Sequence, residues 1–406
     1  MSKYWKNTTF GQVTELQQGM CFNKKSNHLL REDGIPVLLI KDLKNNTISQ
    51  YTDTELTPKR FISKDTDIIY TRTGQVGLVF TNKIGVIHNN SFKISPNKDI
   101  YPLFLYWYLK QPSMIKYAKN IAGGSAQPDL GHDAFKSMSF NYPDIKTQKK
   151  IVSILSTYDK LIENNTKRIE ILEEIAQRIY KEWFVDFKYP GNENDELVDS
   201  ELGMIPESWE LNNLDKFVSF DRGTEPGSKN YQDNKSENTI PFLRVGDLGA
   251  RSKKIYISKE LAKEKILDKK DIVITLDGTV GIVKTGLEGC FSTGLRKCRI
   301  INNSINREFL FYTLKSRNIQ LTIRAHATGS TILHASSSIK HMKFVLPTNK
   351  IMNNFFEMLN PIITEKQILT DKNYNLSKTR DYLLPKLISG KVDVSDLDID
   401  TDIIND

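Results

Sequence analysis

The residues that could do chemistry are scattered along this chain rather than grouped. Its six histidines (28, 88, 132, 326, 334, 341) show no H-E-x-x-H spacing, and Cys21, Cys290 and Cys298 form no Cys-x-x-Cys, so both zinc patterns are missing. No G-x-x-x-x-G-K-[ST] stretch cradles nucleotide phosphates, and "GQVGLVF" and "GTVGIVK" lack G-x-G-x-x-G spacing. An Asn/Asp-Pro-Pro-Tyr stretch, which an amino-methyltransferase would set against an extruded adenine, is also missing. "GHD" at 131–133 is the nearest approach to half of a catalytic dyad, and a surface-loop His beside an Asp is its plainer reading. What remains is the chemistry of recognition.

Base recognition needs side chains with paired donors or acceptors on loops, with Lys and Arg nearby for phosphates. In the first half Lys24, Lys25, Arg72 and "GGSAQPD" (123–129) fit that description. Gly123 and Gly124 permit close backbone approach, while Ser125 and Gln127 can hydrogen-bond to base edges or phosphates. In the second half the candidates are Arg222, Lys229, Arg244, Arg296, Lys297 and "TGSTILH" (328–334), which carries Ser330, Thr331 and His334. For each cation a solvated surface charge is the competing reading, and for the loops a tight turn before a strand.

These groups sit on a frame that the chain writes twice. "DIIYTRTGQVG" (67–77) and "DIVITLDGTVG" (271–281) are identical at six of eleven positions and lie 204 residues apart. Trp5 answers Trp209 and Gly19 answers Gly223 at the same offset of 204. "IPVLLIKDL" (35–43) answers "IPFLRVGDL" (240–248), and "FLYWYLK" (104–110) answers "FLFYTLK" (309–315), at 205. "AGGS" (122–125) matches "ATGS" (327–330) at 205, and "FKSMSFNYP" (135–143) matches "IKHMKFVLP" (339–347) at 204. Chance matches would scatter in offset, so this is a domain duplication rather than a solenoid of short repeats. Arg72 falls opposite Leu276 and Thr73 opposite Asp277, differences that could encode distinct half-sites.

Each copy opens with short β-like runs such as "IPVLLI", "DIIYTR" and "VGLVFTN", continues with a helical segment at about 101–120, and closes on a strand-like run ending at Pro143 or Pro347. A heptad stripe then runs through Ile151, Leu155, Tyr158, Ile162, Asn165, Ile169, Leu172, Ala176, Ile179 and Trp183 without Gly or Pro. Its counterpart is Phe355, Leu359, Ile362, Lys366, Leu369, Asn373, Leu376, Arg380, Leu383 and Leu387, a rougher stripe broken by Pro361 and ended around Pro385 and Gly390. Two matched amphipathic helices most simply pair as a coiled coil, with Asn165 fixing register at some cost in stability; each helix packed on its own domain is the alternative. The polar stretch 189–210 between the copies, opening on Pro-Gly, reads as an interdomain linker.

Composition sets the outer bounds. The 406 residues suit two or three domains, and 39% hydrophobic with 26% charged residues is ordinary for a soluble globular protein. The longest apolar run, "LFLYWYL" (103–109), is far shorter than the roughly 20 residues that span a membrane. The N-terminus has no apolar signal core and the cysteines are few and unpaired in spacing, so the expectation is a cytoplasmic protein. The net charge of +8 hides an asymmetry: the tail 391–406 carries six Asp and one Lys, leaving +13 on the other residues. A basic body fits a polyanionic partner. The tail itself reads as solvated.

In combination these features resemble the DNA-specificity subunit of Type I restriction–modification enzymes, over nearly the whole chain. "YPDIKTQKKIVSILSTYDKLIENN" and "IAQRIYKEWFVDF" resemble the family's central conserved region, "LVDSELGMIPESWE" its lead-in to a second target-recognition domain, "TRTGQVG" and "TLDGTVG" its strand signature, and "LLPKLISGKV" its distal conserved region. The resemblance implies an α+β fold: two duplicated mixed α/β target-recognition domains joined by two long helices in an antiparallel coiled coil with pseudo-two-fold symmetry. The expected boundaries are 1–146 and 209–347 for the recognition domains, 147–188 and 348–390 for the helices, 189–208 for the linker and 391–406 for the tail. It further implies double-stranded DNA as ligand, no catalysis, cofactor or metal in this chain, two methyltransferase subunits bringing S-adenosylmethionine, and restriction subunits bringing ATP and Mg²⁺. A helix over 151–183 is roughly 50 Å long, against about 34–36 Å per turn of B-DNA, so a bipartite asymmetric target with an unread spacer is expected. A self-sufficient fused restriction–methylation enzyme, or a coiled-coil adaptor between proteins, are the readings from other classes.

Overall fold

The computed structural model describes residues 5–124, 126–192, 195–248 and 254–401. The chain divides into two compact units, residues 1–167 with 370–406 and residues 168–369.

In the first unit a four-stranded antiparallel sheet runs in the order Thr14–Gln18, Ser91–Pro96, Ile68–Thr71, Val79–Phe80. All four residues of Ile68–Thr71 are buried, as expected of a β-branched and aromatic run covered on both faces. A second sheet contains a parallel pair, Ile35–Leu38 beside Gly85–Ile87. A two-stranded ribbon, Lys6–Thr9 with Ser139–Tyr142, brings the domain's ends together. The core is aromatic: Phe10 lies 4.9 Å from both Phe135 and Phe140, and all three are fully buried.

The second unit repeats this plan. Its four-stranded sheet runs Val218–Arg222, Leu295–Ile300, Ile272–Thr275, Val283–Lys284, and its ribbon pairs Glu210–Asn213 with Lys343–Leu346. Thr239–Leu243 lies parallel to Gly289–Phe291, the counterpart of the first unit's parallel pair. Gly19 and Gly223 share one cause: a Cβ there would sit 2.3 Å from the His88 carbonyl oxygen and 2.2 Å from that of Phe291. The tight backbone crossing tolerates no side chain.

The helical segment at about 101–120 is two helices, Pro102–Leu109 and Pro112–Ile121. Pro112, at the first position of the second, has no N–H to extend the helix before it. The other unit breaks in the same place, between Arg307–Lys315 and Arg317–Ala325, with Ser316 extended at ψ 150° and no proline. Tertiary packing therefore sets the break in both.

The long helices are Ile145–Phe184 and Asn349–Ile388, each 40 residues. Asp144 caps the first, its carboxylate accepting from the backbone N–H groups of Lys146 (2.9 Å) and Thr147 (3.1 Å). The second runs unbroken through Pro361 and Pro385, contrary to the sequence expectation. Each proline removes a single N–H donor, and helix continuity is kept by packing on either side, where Leu359, Leu384, Leu387 and Ile388 are buried. Every residue of the first stripe is buried or half-buried, and the two helices run antiparallel within each unit.

The three polar interruptions of the second stripe each find a partner on the first helix. In the first unit the Asn165 side-chain amide donates to Asn373 Oδ1 at 2.9 Å, and Arg380 pairs with Asp159. In the second unit Lys366 and Lys315 both pair with Glu173, Lys315 at 2.5 Å. Burial opposes ionisation of Glu173, but hydrogen bonds from Lys315, Lys366 and Gln177 prevail and hold its carboxyl down at about 2.

Two segments differ from their sequence reading. The linker is partly structured: Leu197–Ser200 and Gly203–Pro206 form a hairpin, and Tyr189 is buried with its ring stacked 5.0 Å from Trp209. The tail is not simply solvated. Val394 is 1% exposed in the first unit's core, Lys150 Nζ donates to the Ser395 carbonyl at 2.6 Å and Ser153 Oγ to that of Asp400 at 2.6 Å. Among the aspartates, Val394 and Ile399 face inward onto the core, while Leu397 and the charges face water.

Candidate nucleic-acid interface

The recognition loops rise from one backbone design used twice. In the first unit the Gly123 N–H donates to the Asp129 carbonyl (2.9 Å) and the Asp129 N–H returns to Gly123 (2.8 Å). In the second the Thr328 N–H donates to His334 (3.0 Å) and the His334 N–H to Thr328 (2.7 Å). The next residue in each case, Leu130 or Ala335, donates to the carbonyl of Arg72 (2.9 Å) or Leu276 (2.8 Å). Gly124 at φ +88° and Gly329 at φ +105° make the sharp turn, where a Cβ would meet the Gln127 or Ile332 carbonyl oxygen at 2.5 Å or 2.2 Å. Between these ties Gly123, Gly124, Gln127, Ser330, Thr331 and His334 are exposed; Ser125 lies outside the described residues.

The side chains that secure the two loops differ. Arg72 donates from Nε to Asp129 Oδ1 (3.1 Å), from Nη2 to Oδ2 (2.5 Å), and from Nη1 to Gln18 Oε1 (2.9 Å). Thr73 Oγ1 donates to the same carboxylate at 2.5 Å. The Arg72 guanidinium leads the influences holding the Asp129 carboxyl below the usual carboxylate range, with Thr73 adding to it against burial. In the second unit the acid is on the other strand: His334 Nδ1 lies 2.7 Å from Asp277 Oδ1, and Arg296 Nη2 is 3.6 Å from Asp277 Oδ2. Arg296, only 5% exposed, also donates to Ser336 Oγ at 2.7 Å.

The other candidates fall into two groups. Lys24, Lys25, Arg222 and Lys229 are exposed, the first two on a turn where the Lys25 N–H donates to Asn23 Oδ1 at 2.9 Å. Arg244 forms a two-point pair with Asp247 (3.0 and 3.1 Å), and Lys297 pairs with Asp271 at 2.7 Å, both tying neighbouring backbone together. The structure thus brings Arg72 to the first loop and Arg296 and His334 to the second. Sequence reasoning took Asp129 in only as the end of the stretch 123–129, without a role, and did not select Gln18 or Ser336. The signal for Asp129 was its place opposite His334 at an offset of 205. "GHD" has no dyad geometry: the His132 ring lies edge-on to Phe92 at 5.1 Å, and its Nε2 is buried without a hydrogen-bond partner. Among the described residues no group of three or more His, Cys, Asp or Glu could hold a metal ion, and no helix is long and apolar enough to cross a membrane.

The profile of the family described as "Type I restriction modification DNA specificity domain" matches residues 2–174 and again 206–377, two copies beginning at the repeat's own offset. The chain belongs to that family. Among its relatives, the Type I restriction enzyme MjaIX specificity subunit of Methanocaldococcus jannaschii is 31% identical over 350 residues, covering 81% of this chain and 78% of the relative. The Type I restriction enzyme HindI specificity subunit of Haemophilus influenzae is 23% identical over 469 residues, covering 96% and 99%. A solved Type I restriction–modification S subunit from M. genitalium superposes with a TM-score of 0.55 at 16% identity, covering 95% of this chain and 97% of that one, which shows a shared fold. The duplicated units therefore carry the family's two target-recognition domains, and the paired long helices are consistent with a coiled coil.

Proposed function

We propose that this chain is the non-catalytic DNA-reading subunit of a Type I restriction–modification complex, binding double-stranded DNA at a bipartite, asymmetric target. The observation that carries this reading is the pair of exposed loops, 123–129 and 328–334, presented on matching backbone frames but built from different residues. Equal frames suit two half-sites of similar geometry, and unequal loops suit two different base sequences. Gln127, Ser330, Thr331 and the free ring edge of His334 supply donors and acceptors for base edges, and Lys24, Lys25, Arg222 and Lys229 supply positive charge for phosphates. Two methyltransferase subunits, carrying S-adenosylmethionine, modify one adenine in each half-site; restriction subunits bring ATP and Mg²⁺ for cleavage.

Footprinting of the complex with its methyltransferase partners tests the reading. Two protected segments flanking bases that can be changed freely, with affinity falling as salt rises, are expected. A single contiguous footprint, or retention that ignores sequence, would contradict it.

A further inference from the structure

The side chains beneath the two loops perform one task with exchanged positions. In the first domain the acid, Asp129, is on the returning segment and its partners, Arg72 and Thr73, directly follow the core strand Ile68–Thr71. In the second the acid, Asp277, lies just past the core strand Ile272–Thr275 and its partner His334 is on the returning segment. The arginines are not counterparts either. Arg72 falls opposite Leu276, which is fully buried, and Arg296 falls opposite Phe92, also fully buried.

A guanidinium that gives both edges of its fork to one carboxylate, and its last nitrogen to Gln18, has little left for a base. Arg296 is likewise committed, to Thr293, Leu295 and Ser336 as well as Asp277. Carboxylates also repel DNA phosphates, so their presence at the foot of a DNA-reading loop needs a reason. We propose that Arg72–Asp129–Thr73 and Arg296–Asp277–His334 are latches that position the two recognition loops, making Asp129 and Asp277 positioning residues for specificity in separate half-sites. This inference rests on the DNA-reading assignment above.

The latch and a direct phosphate contact by Arg72 predict opposite signs for one substitution. If Arg72 touched phosphate and Asp129 merely offset its charge, Asp129→Asn would tighten binding to every sequence. A latch instead loses discrimination: Asp129→Asn lowers the preference for cognate over altered bases at least tenfold in one half-site and leaves the other intact. Arg72→Lys does not restore it, because an ammonium cannot grip both carboxylate oxygens in the same plane. Arg72→Ala with Asp129→Asn is no worse than either alone, since each breaks the same latch.

The experiment is a set of equilibrium titrations of the complex with its methyltransferase partners against the cognate duplex and duplexes altered in one half-site, over a range of salt. The wild-type complex must discriminate at both half-sites; if it does not, the DNA-reading assignment itself fails. With that control met, half-site-selective loss in Asp129→Asn at an unchanged salt slope supports the latch, and Asp277→Asn should show the same at the other half-site. Uniformly tighter binding by Asp129→Asn, or full discrimination by Arg72→Lys with a slope reduced in Arg72→Ala by about one phosphate contact, would overturn it. Retained affinity for the untouched half-site separates a loosened loop from a misfolded chain.

Discussion

His334 Nδ1 lies 2.7 Å from Asp277 Oδ1, at the site where the other recognition domain sets Thr73 Oγ1 2.5 Å from the Asp129 carboxylate. The same backbone ladder carries both contacts, so the pair ties the two strands at the base of each loop. His334→Ala should release loop 328–334 alone. Hydrogen exchange at the Thr328 and His334 amides is expected to accelerate while exchange at Gly123 and Asp129 stays at the wild-type rate; equal protection in both loops would contradict the role.

Gly124→Ala and Gly329→Ala test the turns themselves. Each places a Cβ within 2.5 Å or 2.2 Å of a carbonyl oxygen at positive φ, so the loop must reshape. A loss of about 1–3 kcal/mol in local stability is expected, read as weaker discrimination in the half-site served by the altered loop and none in the other.

Lys24→Ala with Lys25→Ala should weaken binding to all sequences together and reduce the salt slope by about 0.9 for each phosphate contact removed. Selective loss at one base position in salt-dependent titrations would instead make these lysines base readers.

Glu173 joins Lys315 and Lys366 in the second unit. Glu173→Gln should cost about 1–3 kcal/mol, since it leaves partly buried lysines short of their acceptor. The folded carboxyl titrates at about 2, below the ordinary 4.5. Its contribution is therefore complete above about 4.5 and is lost as pH falls towards 2. Chemical denaturation of wild type and variant should converge over that window; a constant gap would exclude the ionised carboxylate as the cause.

Asn165→Leu should destabilise the helix pair by about 1 kcal/mol, because the Asn373 carbonyl oxygen loses its donor. Adding Asn373→Leu should recover the loss and exceed wild-type stability, at the expense of a single register. Thermal melts of the two singles and the double, arranged as a mutant cycle, check both statements.

Much of the fold was legible because the repeat supplies its own control. An offset held at 204–205 marks equivalent strands, turns and loops, and the heptad stripes mark the long helices. The roughness of the second stripe was legible but its answer was not. Lys366, Asn373 and Arg380 find Glu173, Asn165 and Asp159, and two of those partners lie beside the apolar stripe rather than on it. The latches were hidden for a related reason. Their acids and bases exchange places between repeats, so a position-by-position comparison shows only mismatches, Arg72 against Leu276 and Thr73 against Asp277. The burial of Val394 was masked by the aspartates around it, and Pro361 gave a stop signal that packing overrides.

The most direct measurement is single-molecule sequencing of methylated adenines in a host that expresses the chain with its methyltransferase partners and lacks other adenine methylation. Two short specified segments separated by unspecified bases are expected, with one methylated adenine in each, and replacing residues 328–334 should change one segment while preserving the other. A contiguous motif, or methylation that is the same when the chain is omitted, would contradict DNA reading by two separate domains.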